Sequence, residues 1–209
     1  MRRLWITRLK TGAALLLTLL AAGPVWAQDS SSSDTMPPWY RPRHLVLQTG
    51  SGLGMLSAGA GYSFLRDQVE TDVQVGFVPD RLAGSTLTIP SLKVLYTPYR
   101  VPLGTKLELR PLTVGIYLSY TSGIVNDDRG QYTKGYYWFS ADTRVGPLLG
   151  GRLSYLRPAG PTGRQRRLSA FYELGSNDLY LSSYFSNDNF RSLSPLDIMT
   201  LGLGIKAEF

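Results

Sequence analysis

The stretch Asp197–Phe209, DIMTLGLGIKAEF, ends the chain and decides how the rest of the sequence is interpreted. From residue 199 onward every second residue is apolar, and the residues between them are mostly small or polar. The apolar set consists of Met199, Leu201, Leu203, Ile205, Ala207 and Phe209. Successive side chains of a β-strand point to opposite faces, so this period of two predicts a strand with one apolar and one polar face.

The opposite end of the chain has the pattern of a cleavable secretory signal peptide over residues 1–27. It begins with four basic residues, namely Arg2, Arg3, Arg8 and Lys10. The apolar run 12–23 follows, and residues 25–27 form a cleavage site of the small-residue type. This run is too short to cross a bilayer as a helix, which needs about 20 residues. The sequence therefore predicts export, with a flexible Ser- and Pro-rich lead-in over 28–42 and a folded domain over 43–209.

Charge and cysteine content narrow the classes of function. Without the four basic residues of the predicted signal peptide, the formal net charge falls from +7 to +3. The basic character is thus mostly targeting information, and we expect no nucleic-acid partner. The chain has no Cys, which excludes disulfides, thiolate chemistry and a lipid-modified N-terminal cysteine.

Seven further segments alternate or are rich in strand-forming residues, which predicts an all-β domain. Together with the last strand they give eight predicted strands, over 44–49, 56–64, 69–77, 86–97, 112–120, 136–156, 168–175 and 199–209. Segment 69–77 alternates most cleanly, and residues 97–104 are predicted to be a turn. With an even number of strands, both termini are expected on one side and the two longest loops, 122–135 and 176–195, on the other.

These features resemble those of small eight-stranded bacterial outer-membrane β-barrel proteins, whose last strand typically ends on Phe. The resemblance implies an eight-stranded antiparallel up-and-down transmembrane β-barrel in the cell outer membrane. It also implies two partners, the outer-membrane lipid and the outer-membrane assembly machinery, which reads the last strand as a sorting signal. In this chain the signal would be formed by Leu201, Leu203, Ile205 and Phe209.

The distribution of residues along the strands indicates which face is outside. Aliphatic residues occupy the strand centres and aromatic residues gather toward the ends, as expected of a barrel in a bilayer. The other face is rich in Gly and Ser and carries charges of both signs. Seven charged residues are predicted to lie in the lumen: Glu70, Asp72, Lys93, Arg144, Arg152, Glu173 and Lys206. A barrel of about eight strands is filled by side chains, so we expect no open pore.

Catalytic chemistry is not evident in the sequence. Outer-membrane lipid A deacylases resemble this chain in size and barrel type and use a Ser/His pair with an acidic helper. The one histidine, His44, has no Ser at the required position in a late strand, and we expect it to be an ordinary strand-end residue. Only Ser57 and Asp72 are weak candidates to complete a triad with it. We therefore predict no catalytic residue, no cofactor and no metal, since Asn126–Asp128 lacks the spacing of a calcium loop.

Function is then predicted to reside at the external surface. The two longest connections supply candidate contact residues, namely Asn126, Asp127, Asp128, Tyr180, Tyr184 and Phe185. The first hypothesis is a non-enzymatic barrel that serves envelope integrity or surface contact. Two alternatives stay open: a lipid-modifying hydrolase or acyltransferase of the outer membrane, and a periplasmic lipocalin-like binder with its apolar face inward.

Overall fold

The structure is a computed structural model that describes residues 41–124, 142–159, 165–186 and 194–209. The predicted signal peptide and all but the last two residues of the predicted lead-in lie outside these residues. The strands are β1 (His44–Gly50), β2 (Leu56–Phe64), β3 (Val69–Val78), β4 (Leu87–Tyr96), β5 (Val101–Leu103), β6 (Leu107–Tyr120), β7 (Thr143–Arg157), β8 (Arg166–Gly175) and β9 (Thr200–Glu208).

The strands form one antiparallel sheet that closes on itself. Its order is β4-β3-β2-β1-β9-β8-β7-β6-β5, and an additional pairing joins β4 to β6. The short β5 pairs with the beginning of β6 alone, so the closed wall consists of the other eight strands. The prediction of an all-β, eight-stranded antiparallel barrel is therefore confirmed. Closure removes the free strand edges that an open sheet would expose.

The predicted turn at 97–104 is wrong in part, because it contains β5. Val101–Leu103 pairs with Leu107–Leu109 in a hairpin whose turn includes Gly104 at φ 73°. Strand β6 consequently begins before the predicted residue 112. Pro111, which lacks a donor for the ladder, is accommodated where the register between β6 and β7 shifts between Arg110 and Thr113.

Side chains alternate between a polar interior and an apolar exterior. In β3 the buried residues are Glu70, Asp72, Gln74 and Gly76, whereas Val73 and Val75 are 61% and 53% exposed. The same alternation recurs in β4, where buried Lys93 lies between exposed apolar neighbours. A water-soluble barrel would be expected to bury its apolar face, and this barrel presents that face to its surroundings.

The barrel has two different ends. The terminus end carries the start of β1, the end of β9 and the turns after β2, β4, β5 and β7. The loop end carries the other connections, which include helix α1 (Asp80–Ala83), helix α2 (Asp178–Ser186) and a 3-10 helix (Pro195–Ile198). The connection between β8 and β9 was predicted to be a long loop over 176–195, and it contains the last two of these helices. Within the described ranges no helix is both long enough and apolar enough to cross a membrane.

One connection at the loop end folds into the barrel mouth. Leu53, in the turn between β1 and β2, is completely buried and belongs to an apolar cluster with Leu95, Tyr117 and Leu148. Gly50, Gly52 and Gly54 give this turn φ values of 73°, 76° and 111°, which residues with a Cβ rarely adopt. The turn therefore helps to fill the lumen near the loop end.

Candidate functional site in the barrel lumen

The middle of the lumen is crossed by a lysine and a carboxylate from opposite parts of the wall. Lys93 Nζ lies 2.9 Å from both carboxylate oxygens of Glu173 and donates to Gln48 Oε1 at 2.8 Å. Gln74 donates to Gln48 Oε1 at 3.4 Å, and Ser57 donates to Gln74 Oε1 at 3.1 Å. These hydrogen bonds link β1, β2, β3, β4 and β8 through the interior.

Glu70 is the centre of a second group of ion pairs. Its carboxylate lies 2.8 Å from Arg152 Nη2, 3.1 Å from Arg110 Nη1 and 2.7 Å from Lys206 Nζ. Lys206 also binds Asp72 Oδ2 at 3.1 Å. All five side chains are almost completely inaccessible to solvent. Because charges removed from water are costly unless they are paired, this mutual compensation is what permits a charged interior.

The ion pairs continue toward the terminus end. Glu208 lies 3.0 Å from Arg152 and 2.9 Å from Arg167. Arg167 in turn lies 3.1 Å from Asp67, which belongs to the turn between β2 and β3. The network therefore runs from the middle of the lumen to the end at which β1 begins and β9 ends.

His44 is part of this interior, contrary to the expectation of an ordinary strand-end residue. Its Nε2 lies 2.6 Å from Asp72 Oδ1, its Nδ1 lies 3.4 Å from Ser63 Oγ, and the ring is completely buried. The register explains the contact, since Gly61 lies opposite His44 on one side and opposite Asp72 on the other. A Cβ at residue 61 would clash with both His44 Nε2 and Asp72 Oδ1, so the missing side chain makes room for the pair.

Donor atoms of His44, Glu70 and Asp72 lie within 4.8 Å of one another, which is a geometry that metal sites use. The carboxylates, however, already contact the cationic groups of Lys206 and Arg152. The Lys206 ammonium lies between the two carboxylates, where a metal ion would have to bind. The arrangement therefore fits an ion-pair network better than a metal centre, and the absence of a metal stays a prediction.

Most of the predicted lumen charges belong either to the Lys93–Glu173 pair or to the ion pairs around Glu70. They are Glu70, Asp72, Lys93, Arg152, Glu173 and Lys206. The exception is Arg144, which is half-buried and donates to the carbonyl oxygen of its neighbour Thr143 at 2.8 Å. Arg110, Arg167 and Ser63 also line this interior, and none of them was predicted from the sequence. Arg110 was missed because the register shift changes the strand's inside-outside alternation between 110 and 113.

The remaining predicted site residues lie at the loop end, on the last strand, or outside the described residues. Tyr180, Tyr184 and Phe185 belong to α2, where Tyr184 is buried and Phe185 is 67% exposed. Asn126, Asp127 and Asp128 lie outside the part of the chain that the structure describes. The apolar residues of the last strand face outward: Leu201, Leu203 and Ile205 are exposed, and Phe209 is half-buried.

The serine that lies next to His44 is not the one that the sequence suggested for a triad. Ser57 bonds to Gln74 in the middle of the lumen, whereas Ser63 is the serine beside His44. Asp72 is the expected acidic partner.

Comparisons with protein-family models, with curated proteins and with solved structures found no match to this chain.

Proposed function

We propose that this protein is an outer-membrane β-barrel whose lumen is filled by its own side chains, and that it serves the envelope as a structural element or through contacts at its loop end. The observation that carries the proposal is the apolar exterior of the closed wall. Val73, Ile116 and Leu203 are 61%, 60% and 56% exposed, although they lie near the middle of three different strands. Soluble monomers rarely expose apolar surface so extensively.

The positions of aromatic residues support a bilayer around this wall. Phe64, Tyr96 and Tyr155 are exposed near the terminus end, and Phe77 and Tyr120 are exposed near the loop end. Most exposed residues of the band between them are aliphatic, and Tyr172 of β8, 46% exposed, is an exception. Amphipathic rings favour the boundary between lipid and water, so two aromatic belts around an aliphatic band are expected of a transmembrane barrel.

The filled lumen supports a function other than the passage of solutes through the barrel. Lys93 and Glu173 meet inside the barrel, and Leu53 is buried in its mouth. An interior of about eight strands leaves little space beyond its side chains. Under this proposal the protein does not form a general pore.

The two alternatives receive less support from the geometry. A lipocalin-like binder needs an apolar interior, whereas buried residues of this barrel include Glu70, Lys93 and Arg152. A lipid-modifying enzyme needs its catalytic groups within reach of the bilayer. Here the His44 ring is enclosed by the wall and completely buried.

Contacts at the loop end are the part of the proposal that concerns partners. Phe185, Tyr180 and Leu179 of α2 are 67%, 46% and 37% exposed. Ser176, which precedes the helix, donates to the carbonyl oxygen of Ile198 at 2.8 Å and ties the two ends of the connection together. The helix is therefore held on the scaffold with apolar side chains available for a protein or lipid surface at the cell exterior.

Cell fractionation combined with electrophoresis of unheated samples tests the proposal. We expect the protein to fractionate with outer membranes and to migrate differently before and after boiling, because a closed barrel resists detergent until heated. Recovery in the soluble periplasmic fraction, with no effect of boiling on migration, would contradict the proposal. A periplasmic protein and a known outer-membrane barrel from the same cells serve as fractionation controls.

A further inference from the structure

A cavity of about 220 Å³ lies at the terminus end of the barrel, and Ser63 lines it. Ser63 is 6% exposed and is the point where the cavity meets the buried pair of His44 and Asp72. Arg43, Arg66 and Arg167 line the same cavity. A serine, its histidine neighbour and several cationic groups are thus placed around one small space that opens at this end.

The donors and acceptors of these residues are arranged so that His44 can accept the proton of the Ser63 hydroxyl. Asp72 accepts a hydrogen bond from Lys206 and faces His44 Nε2 at 2.6 Å. Because a carboxylate only accepts, the proton of the neutral ring belongs on Nε2. Nδ1 is then the free acceptor, and it faces Ser63 Oγ at 3.4 Å. Such distances are common before a substrate binds.

We propose that Ser63 is the nucleophile of an ester-cleaving site, with His44 as its general base and Asp72 as the residue that orients His44. This inference goes beyond the proposed function, which assigns the barrel no reaction, and it does not depend on the membrane in which the barrel resides. The histidine uses Nδ1 toward serine and Nε2 toward aspartate. The order of groups, in which a carboxylate orients the histidine and the histidine takes the proton of the serine, is the same as in other serine hydrolases.

The size and charge of the cavity indicate the class of substrate. A volume of about 220 Å³ is below the range of about 300–1,000 Å³ for drug-sized ligands. The space beside Ser63 therefore fits a short acyl group, and we expect short-chain esters to be the preferred substrates. Asp67 and Glu208 also line the cavity, but both are bonded to Arg167. This leaves Arg43 and Arg66 to favour a substrate that carries a negative charge.

The reaction has two balanced steps. In the first, the Ser63 hydroxyl gives its proton to His44 Nδ1 while Oγ attacks the acyl carbon. The ester C–O bond then breaks, and the leaving alcohol takes the proton from His44. In the second, water attacks the acylated Ser63 and His44 accepts its proton. The acid leaves when the bond to Oγ breaks, and His44 returns the proton to Ser63. Asp72 stays ionised throughout.

The full-length protein, folded in detergent micelles or lipid vesicles, tests the site with diisopropyl fluorophosphate. Peptide mass spectrometry then identifies the modified residue. We expect phosphorylation of Ser63 in the folded protein, and at least a tenfold slower reaction in His44→Gln and in Asp72→Asn. Ser169→Ala is the matched control, because Ser169 is an equally buried lumen serine that bonds to Ser154 at 2.8 Å. It should leave the labelling of Ser63 unchanged.

A second measurement uses chromogenic esters. It distinguishes catalytic ester cleavage from a single reaction of Ser63 with the labelling reagent. The folded protein should release nitrophenol from p-nitrophenyl acetate and not from p-nitrophenyl palmitate, and Ser63→Ala should abolish the release. Migration of unheated samples verifies that each variant is folded. The proposal is overturned if folded wild-type protein shows neither Ser63 modification nor acetate release. It is equally overturned if folded His44→Gln reacts as fast as the wild type, or if only the palmitate is cleaved.

Discussion

Lys93 Nζ lies 2.9 Å from both carboxylate oxygens of Glu173, although their strands, β4 and β8, do not pair with each other in the wall. The ion pair therefore crosses the lumen and connects two sides of the barrel that the backbone ladder joins only through intervening strands. Both side chains are buried. Each charge consequently depends on the other for compensation, which makes the pair a sensitive test of how the interior is held together.

Removing one charge of this pair should lower the stability of the barrel more than removing both charges. We expect Lys93→Met to lower the free energy of unfolding by about 3–5 kcal/mol, because Glu173 is left as an uncompensated buried charge. The double variant Lys93→Met with Glu173→Leu should recover much of this loss. Urea unfolding of the barrel in lipid vesicles measures both values. Additive losses in the double variant would show that the two charges are not coupled.

Glu70 should be the most critical carboxylate of the network. Glu70→Gln leaves Arg110, Arg152 and Lys206 close together without the anion that all three contact. We expect a loss of stability of at least about 3 kcal/mol in the same urea experiment. Glu108→Gln is the control, because Glu108 is less buried and shares Arg110 with Glu70, while its other contact is Arg167 nearer the terminus end. Equal effects of the two substitutions would argue against Glu70 as the centre.

The inside-outside alternation of several strands could be predicted from the sequence because it depends only on spacing along one strand. Segment 69–77 illustrates this, since Glu70 and Asp72 are buried and Val73 is exposed as the pattern indicates. The contact between His44 and Ser63 depends on pairing between strands, with Gly61 opposite His44. A single sequence does not contain that register, so Ser57 was considered in place of Ser63.

Local irregularities account for other differences between prediction and structure. The fifth predicted strand begins at residue 112, so Arg110 and Pro111 were not assigned to it. The register shift next to Arg110 keeps the strand continuous and turns the guanidinium into the lumen. Helix α2 was missed for a different reason. Its sequence DLYLSSYFS lacks a clear helical alternation of apolar and polar residues.

The last residue should direct assembly of the barrel. We expect deletion of Phe209, and Phe209→Asp, to reduce the folded outer-membrane pool and to leave aggregate or degradation products in the periplasm. The physical reason is that the last strand must be recognised and paired with β1 for closure. Immunoblots of fractionated, unheated samples measure the folded pool. Leu82→Asp changes another exposed apolar residue, on α1, and should assemble normally. Normal assembly of both Phe209 variants would refute a sorting role.

The filled lumen should not conduct ions. We expect purified protein inserted in planar bilayers to show no steady current above that of protein-free bilayers, because Lys93, Glu173 and their neighbours occupy the interior. A general-diffusion porin in the same bilayers controls for detection. Stable, voltage-independent channel openings from the folded wild-type protein would contradict a closed lumen.

The most direct test of the central claim is chemical labelling of two adjacent residues that face opposite sides of the wall. The chain has no native Cys, so Val73→Cys and Gln74→Cys each introduce a single thiol. Val73 is 61% exposed on the outside and Gln74 is 1% exposed in the lumen. In outer-membrane vesicles we predict that the thiol at 73 reacts with a lipid-soluble maleimide and resists a water-soluble one, while the thiol at 74 reacts with neither. Rapid reaction of the thiol at 73 with the water-soluble reagent would contradict the claim that this face lies in lipid.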